Sequence, residues 1–130
     1  MKPDNLIVDL TFSFSLKVLS LYKHLIENKE FVISKQLLRC ATSIGANVEE
    51  ANAAQSKREF IAKMSIASKE AREAKYWLRL LDKSQIVKYD YSQYLNAIEY
   101  IINILTKIVK TSQESLSQEK SSNWKQSYNI

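Results

Sequence analysis

Turn-forming residues are nearly missing from this chain. Its 130 residues include one glycine, Gly45, and one proline, Pro3. Strand-and-turn folds depend on those residues for tight turns. Their scarcity, with 45% apolar residues, points to long uninterrupted helices. Cysteine is as scarce. The single Cys40 rules out an intramolecular disulfide and fits a reducing compartment. With His24 as the only histidine, one chain cannot assemble a zinc site of the usual Cys/His type. No apolar run approaches the roughly 20 residues of a membrane span. The start, MKPDNLIVDLTFSF, lacks the basic-then-apolar order of a signal peptide. The expectation is a soluble cytoplasmic protein with no membrane partner and no cofactor. The length suits one domain with a true core.

What is present is positive charge, and its location matters more than its size. The net charge is +5. From Ile33 to Lys88 there are eleven Lys or Arg against six Asp or Glu, and the remaining chain has eight of each. The whole excess therefore sits in the middle of the sequence.

Apolar spacing divides the chain into four helices. The first is expected from about Asn5 to Glu27, with Ile7, Leu10, Phe14, Val18, Leu21 and Leu25 as its seam. Phe12, Leu16, Leu19 and Ile26 widen that stripe and predict burial over much of its girth. The second runs from about Lys35 to Ala53, capped by Ser34, with Leu37, Ala41, Ile44, Val48 and Ala51 inward. Gly45 lies mid-helix, where it costs about 1 kcal/mol relative to alanine, and a close neighbouring backbone is the expected compensation. The third opens on a capping box, Ser56-Lys57-Arg58-Glu59. Phe60, Met64, Ala67, Ala71, Ala74, Leu78 and Leu81 then keep an unbroken 4-3-4-3 spacing. The fourth is expected from about Tyr91 to Ser115, with Asp90 as cap. Short breaks force antiparallel neighbours, which predicts an all-α, up-down-up-down, left-handed four-helix bundle. The bundle domain is assigned to residues 1–116 and a flexible polar tail to residues 117–130.

The third helix sorts opposite charges onto separate flanks. Arg58, Lys69, Arg72, Arg79 and Lys83 share one side, with Tyr76 among them and Lys75 at the edge. Most charge runs are solvated outer faces. The functional reading is a nucleic-acid interface, with cations at phosphate spacing and Tyr76 stacked on an unpaired base. Glu59, Ile66, Glu70, Glu73 and Trp77 share the other side. The second helix offers a parallel stripe of Gln36, Cys40, Ser43, Asn47 and Glu50. A tryptophan beside polar groups is a common interface composition, and Ser43, Asn47, Glu50, Glu70, Glu73 and Trp77 form the candidate subunit interface. The alternative is that Trp77 closes the edge of the chain's own core.

Catalytic readings are thin. Glu49 with Glu50, and Glu70 with Glu73, are carboxylate pairs, but a bundle di-metal site wants Glu-x-x-His on two helices and the sequence has none. Cys40 has no local histidine base and reads as a small core residue. There is no glycine-rich phosphate loop. No catalytic residue and no metal ligand is assigned, and the expectation is a non-enzyme.

The runs Ser43-Ile44-Gly45-Ala46-Asn47-Val48-Glu49-Glu50-Ala51, Gln55-Ser56-Lys57-Arg58-Glu59-Phe60, Lys69-Glu70-Ala71-Arg72-Glu73 and Tyr76-Trp77-Leu78-Arg79-Leu80-Leu81 carry a resemblance. In order and spacing they resemble the bacterial four-helix-bundle proteins encoded in intervening sequences of 23S ribosomal RNA genes. The resemblance spans roughly residues 8 to 112 and is strongest in helices two and three. It departs at Ala53-Ala54, where glycine is common in relatives. It implies a homo-oligomer, a pentamer, and a likeness to the accessory variability protein of diversity-generating retroelements, which binds nucleic acid and a reverse transcriptase. The ribosomal label of such proteins reflects gene location. The combined expectation is a non-enzymatic oligomeric adaptor that contacts RNA or DNA through the third helix, with a reverse transcriptase or another protein as further partner. The alternative is an assembly module without nucleic-acid binding.

Overall fold

The computed structural model describes residues 3–128, with side chains over residues 6–119. Four helices account for nearly all of it: α1 (Pro3–Glu27), α2 (Ile33–Asn52), α3 (Lys57–Ser84) and α4 (Ser92–Tyr128). Each packs on its neighbour in sequence, and α1 closes against α4. Among the described residues the diagonal pairs do not touch, so the helices stand at the corners of a square. The α2–α3 seam is the most extensive and the α1–α4 seam the sparsest. The fold is all-α, as expected.

The seams follow the apolar spacing. On α3, Met64, Ala67, Ala71, Ala74, Leu78 and Leu81 are all fully buried. Small alanines let the backbone of α3 approach α2, which answers with Leu37, Cys40, Ala41, Ile44, Val48 and Ala51. Phe14, Val18 and Leu21 of α1 and Ile98, Ile101 and Leu105 of α4 fill the remaining core. Tyr91 is wholly buried and its hydroxyl donates to the Val87 carbonyl at 2.7 Å. Burial, with Glu30 nearby, pushes that phenol up to about 12.

Three expectations are corrected. Phe12, Leu16 and Leu19 do not widen the core stripe: they are 61%, 53% and 42% exposed on the outer side of α1. A corner helix has only two neighbours, so about half its girth is covered. Helix α2 begins at Ile33, and Ser34 is not its cap. The Glu30 carboxylate accepts from the amides of Val32, Ile33 and Ser34, while the Ser34 hydroxyl donates back to the Glu30 carbonyl at 2.7 Å. A carboxylate serves the positive end of a helix well. Finally, α4 does not stop near Ser115 but continues to Tyr128. The segment has no glycine or proline to stop it, and Gln, Glu and Lys residues that favour helix alternate with its serines. Lys57 on α3 also holds it, donating to Ser115 at 2.8 Å and pairing with Glu119. Of the assigned tail, residues 129 and 130 lie outside the described residues.

The caps read from the sequence are present at α3 and α4. Ser56 Oγ accepts from the Glu59 amide at 3.1 Å, and the Glu59 carboxylate reaches back to the Gln55 amide, one residue earlier than expected. Asp90 accepts from the Ser92 amide at 3.0 Å, which lowers its pKa. Gly45 packs on α1 as anticipated: a methyl there would meet Ser15 Oγ at 3.5 Å and the Thr11 carbonyl oxygen at 3.7 Å. Those are ordinary contacts, so the glycine is not obligatory for the packing of this chain. Gly45→Ala is expected to raise stability by about 0.5–1 kcal/mol, read as a higher midpoint in urea denaturation.

Candidate nucleic-acid interface

The basic flank of α3 faces water. Arg58, Lys69, Arg72, Tyr76, Arg79 and Lys83 are all exposed, and Lys75 is half-buried. Lys69, Arg72, Tyr76, Arg79 and Lys83 follow one another at three- and four-residue steps, a ridge about 21 Å long at 1.5 Å per residue. Arg58 lies about three turns further toward the helix start. Among the described residues, neither Arg72 nor Arg79 has a carboxylate within 4.0 Å. Arg72 donates to the Thr106 hydroxyl of α4 at 3.1 Å, and Lys75 pairs with Glu99 of α4 at 2.6 Å.

These cross-helix contacts outline an open groove of about 340 Å³ between α3 and α4, with Arg72, Tyr76 and Arg79 along one wall and Asn103 and Thr106 along the other. The α4 wall was not found by the sequence reading. Its members face α3 only because of the antiparallel register, in which Thr106 meets Arg72 across 34 residues of chain. The same register puts exposed Lys110 near the level of Lys69, extending the basic surface onto α4.

The opposite flank of α3 is largely satisfied within the chain. Arg39 of α2 pairs with Glu70 at 3.3 Å and with Glu73. Glu73 also accepts from the buried Cys40 thiol at 3.1 Å and from the Trp77 indole N–H at 3.1 Å. Trp77 is partly buried against the core. Asn47 donates to the Ser43 carbonyl at 2.8 Å, and Glu50 pairs with Lys63 at 2.8 Å. The ligand atoms of Cys40, Glu70 and Glu73 lie within 4.8 Å of one another, but the Arg39 guanidinium already stands where a cation would. Burial and the bond to Glu73 push the Cys40 thiol well above the ordinary range, so it stays protonated and a poor nucleophile.

Hydrogen bonds from Cys40 and Trp77, with Arg39 beside them, lower the pKa of Glu73. A depressed carboxylate contributes stability above the ordinary value of 4.5, and loses it as pH falls through the lower folded value. Glu73→Gln is therefore expected to lower the melting temperature by a few degrees at pH 7. The gap to the parent chain should narrow at pH 3, in parallel thermal melts.

The chain matches the 23S rRNA-intervening sequence protein family over residues 3–107. That is most of its length. It belongs to this family. A similar solved structure is a protein of unknown function from the S23 ribosomal protein family of Bacteroides thetaiotaomicron. The two share 45% identity and superpose with a TM-score of 0.79, over 84% of this chain and 99% of the other. No curated protein matches the chain. The family match takes in all of α1, α2 and α3 and the α4 wall of the groove, and leaves the distal part of α4 outside. Among the described residues no helix is long and apolar enough to cross a membrane.

Proposed function

We propose that this 23S rRNA-intervening sequence protein is a non-enzymatic, oligomeric adaptor that binds RNA or DNA through the α3 ridge and its groove with α4. The observation that carries the reading is the state of Arg72 and Arg79: both are exposed, and neither is matched by a carboxylate among the described residues. Guanidiniums in that state can take phosphate oxygens bidentately without first giving up a carboxylate. The remaining cations of the ridge add sequence-independent attraction. The likeness to the accessory variability protein of diversity-generating retroelements supports the same reading, with a pentameric assembly and a reverse transcriptase as candidate protein partner. Five copies of a +5 chain would carry about +25, enough to steer polyanions toward the assembly. The raised Cys40 pKa and the internal pairing of Glu70 and Glu73 favour a role without catalysis.

Binding of a labelled single-stranded RNA or DNA, followed by fluorescence anisotropy, tests the proposal. Affinity is expected to fall steeply between 50 and 200 mM salt, by about tenfold or more for several phosphate contacts. Absence of binding at 50 mM salt would reject it. A protein–protein assembly module without nucleic acid is the second reading. It is favoured by the exposed apolar row Phe12, Leu16 and Leu19 on α1, and recovery of a protein partner by a chain indifferent to polyanions would support it.

A further inference from the structure

We infer that the groove between α3 and α4 is a pocket for one unpaired nucleotide, so that the protein selects single-stranded or looped nucleic acid over duplex. The inference rests on the proposed nucleic-acid role and names the form of ligand that this site takes. Duplex binding needs only cations along a surface that follows the backbone. This site has more than that. It is concave, with a volume of about 340 Å³, and it sets an aromatic ring among its cations and two neutral polar side chains across from them.

The order of residues fits a nucleotide with its flanking phosphates. Arg72 and Arg79 stand two turns apart, about 10 Å along the axis, and Tyr76 lies between them. Tyr76 is 52% exposed, so about half of the side chain is open to a ligand. The ring is also braced. It packs edge-on against Trp77 with centroids 5.1 Å apart, and Glu73 fixes the Trp77 indole N–H at 3.1 Å. Across the groove, the Asn103 amide and the Thr106 hydroxyl offer hydrogen bonds to a base edge or a sugar hydroxyl. Ile102 adds an apolar side chain to the lining of the groove. Glu99 is the one acidic group present. It is paired with Lys75 at 2.6 Å, and three cations against one carboxylate leave the groove with a net charge of +2. Paired bases cannot enter such a site, because their faces are stacked within the helix and their edges are engaged.

The test compares three ligands on the full chain at fixed salt: a single-stranded 12-mer, the matching duplex, and adenosine monophosphate. Tyr76→Ala is expected to weaken the single strand roughly 5- to 100-fold, the effect of losing one stacked base. It should leave duplex binding within about twofold, and Tyr76→Phe should retain the parent affinity. A 2-aminopurine in the strand should be quenched by the parent chain and much less by Tyr76→Ala. Adenosine monophosphate should compete only weakly, because it lacks one flanking phosphate. Single-strand affinity unchanged in Tyr76→Ala, or equal losses for both polymers, overturns the pocket. If Arg72→Glu with Arg79→Glu still abolishes binding in that case, the nucleic-acid role survives alone. Adenosine monophosphate binding as tightly as the strand would make this a free-nucleotide site and overturn the strand selection. A parent chain that binds neither polymer removes both readings together.

Discussion

Reversing the two guanidiniums, Arg72→Glu with Arg79→Glu, is expected to abolish nucleic-acid binding, with a loss of about 100-fold or more at 100 mM salt. Each reversal would delete one proposed phosphate contact and put a repelling charge in its place. In a salt titration the deletion of two phosphate contacts should flatten the slope of log affinity against log salt by about two. The fold should be untouched. Both side chains are exposed, and among the described residues the Thr106 hydroxyl is the only hydrogen-bond partner of either. A matched reversal elsewhere, Lys23→Glu with Lys35→Glu, alters the net charge equally on exposed positions of α1 and α2. It should cost much less. Equal losses in the two double variants would mean that the protein binds by overall charge and that the assigned ridge is wrong. Undiminished binding in the arginine variant would reject the ridge outright.

The second large effect is expected on assembly. Phe12→Asp with Leu16→Asp should convert an oligomer at micromolar concentration into monomers, seen by sedimentation velocity. Phe12, Leu16 and Leu19 recur at four and three residues along the outer side of α1 and are 42% to 61% exposed. Contiguous apolar surface of this kind on a small chain marks a contact site, and two carboxylates placed within such a contact would be buried without partners. Because these side chains contribute little to the core of the single chain, the bundle should keep its helicity and melting temperature. A parent chain that sediments as a monomer would end the oligomer proposal. An oligomer that survives both substitutions would move the contact to the other candidate face, that of Ser43, Asn47, Glu50, Glu70, Glu73 and Trp77.

Local periodicity carried the reading of the fold. Phe60 to Leu81 holds one spacing throughout, and of its seven seam residues all but Phe60 are fully buried. The capping box at Ser56 was legible because its partners sit three residues apart. The Glu30 cap was harder: the carboxylate lies in the loop before α2, and Ser34 has the more familiar cap chemistry. Phe12, Leu16 and Leu19 misled because an apolar residue on the outer side of a helix and one facing the core look identical in sequence. On α3, the charge sorting located the Arg72–Tyr76–Arg79 wall of the groove. Its other wall, Asn103 and Thr106, has no signal of its own, since polar residues on a helix are ordinary until register places them opposite something. Trp77 had two readings. The structure shows it partly buried against the core, held by Glu73, and touching Tyr76, so it links the acidic flank to the basic one.

The alanines at positions 67, 71 and 74 have a consequence beyond packing. Side chains this small have no rotamers to change, so at these three positions the packing of α3 can yield only by moving backbone. The arginines and tyrosine are thus mounted on a helix whose inner edge forms the most extensive seam in the molecule. A nucleic acid bound as proposed would surrender the entropy of the ridge side chains and less from the helix beneath them.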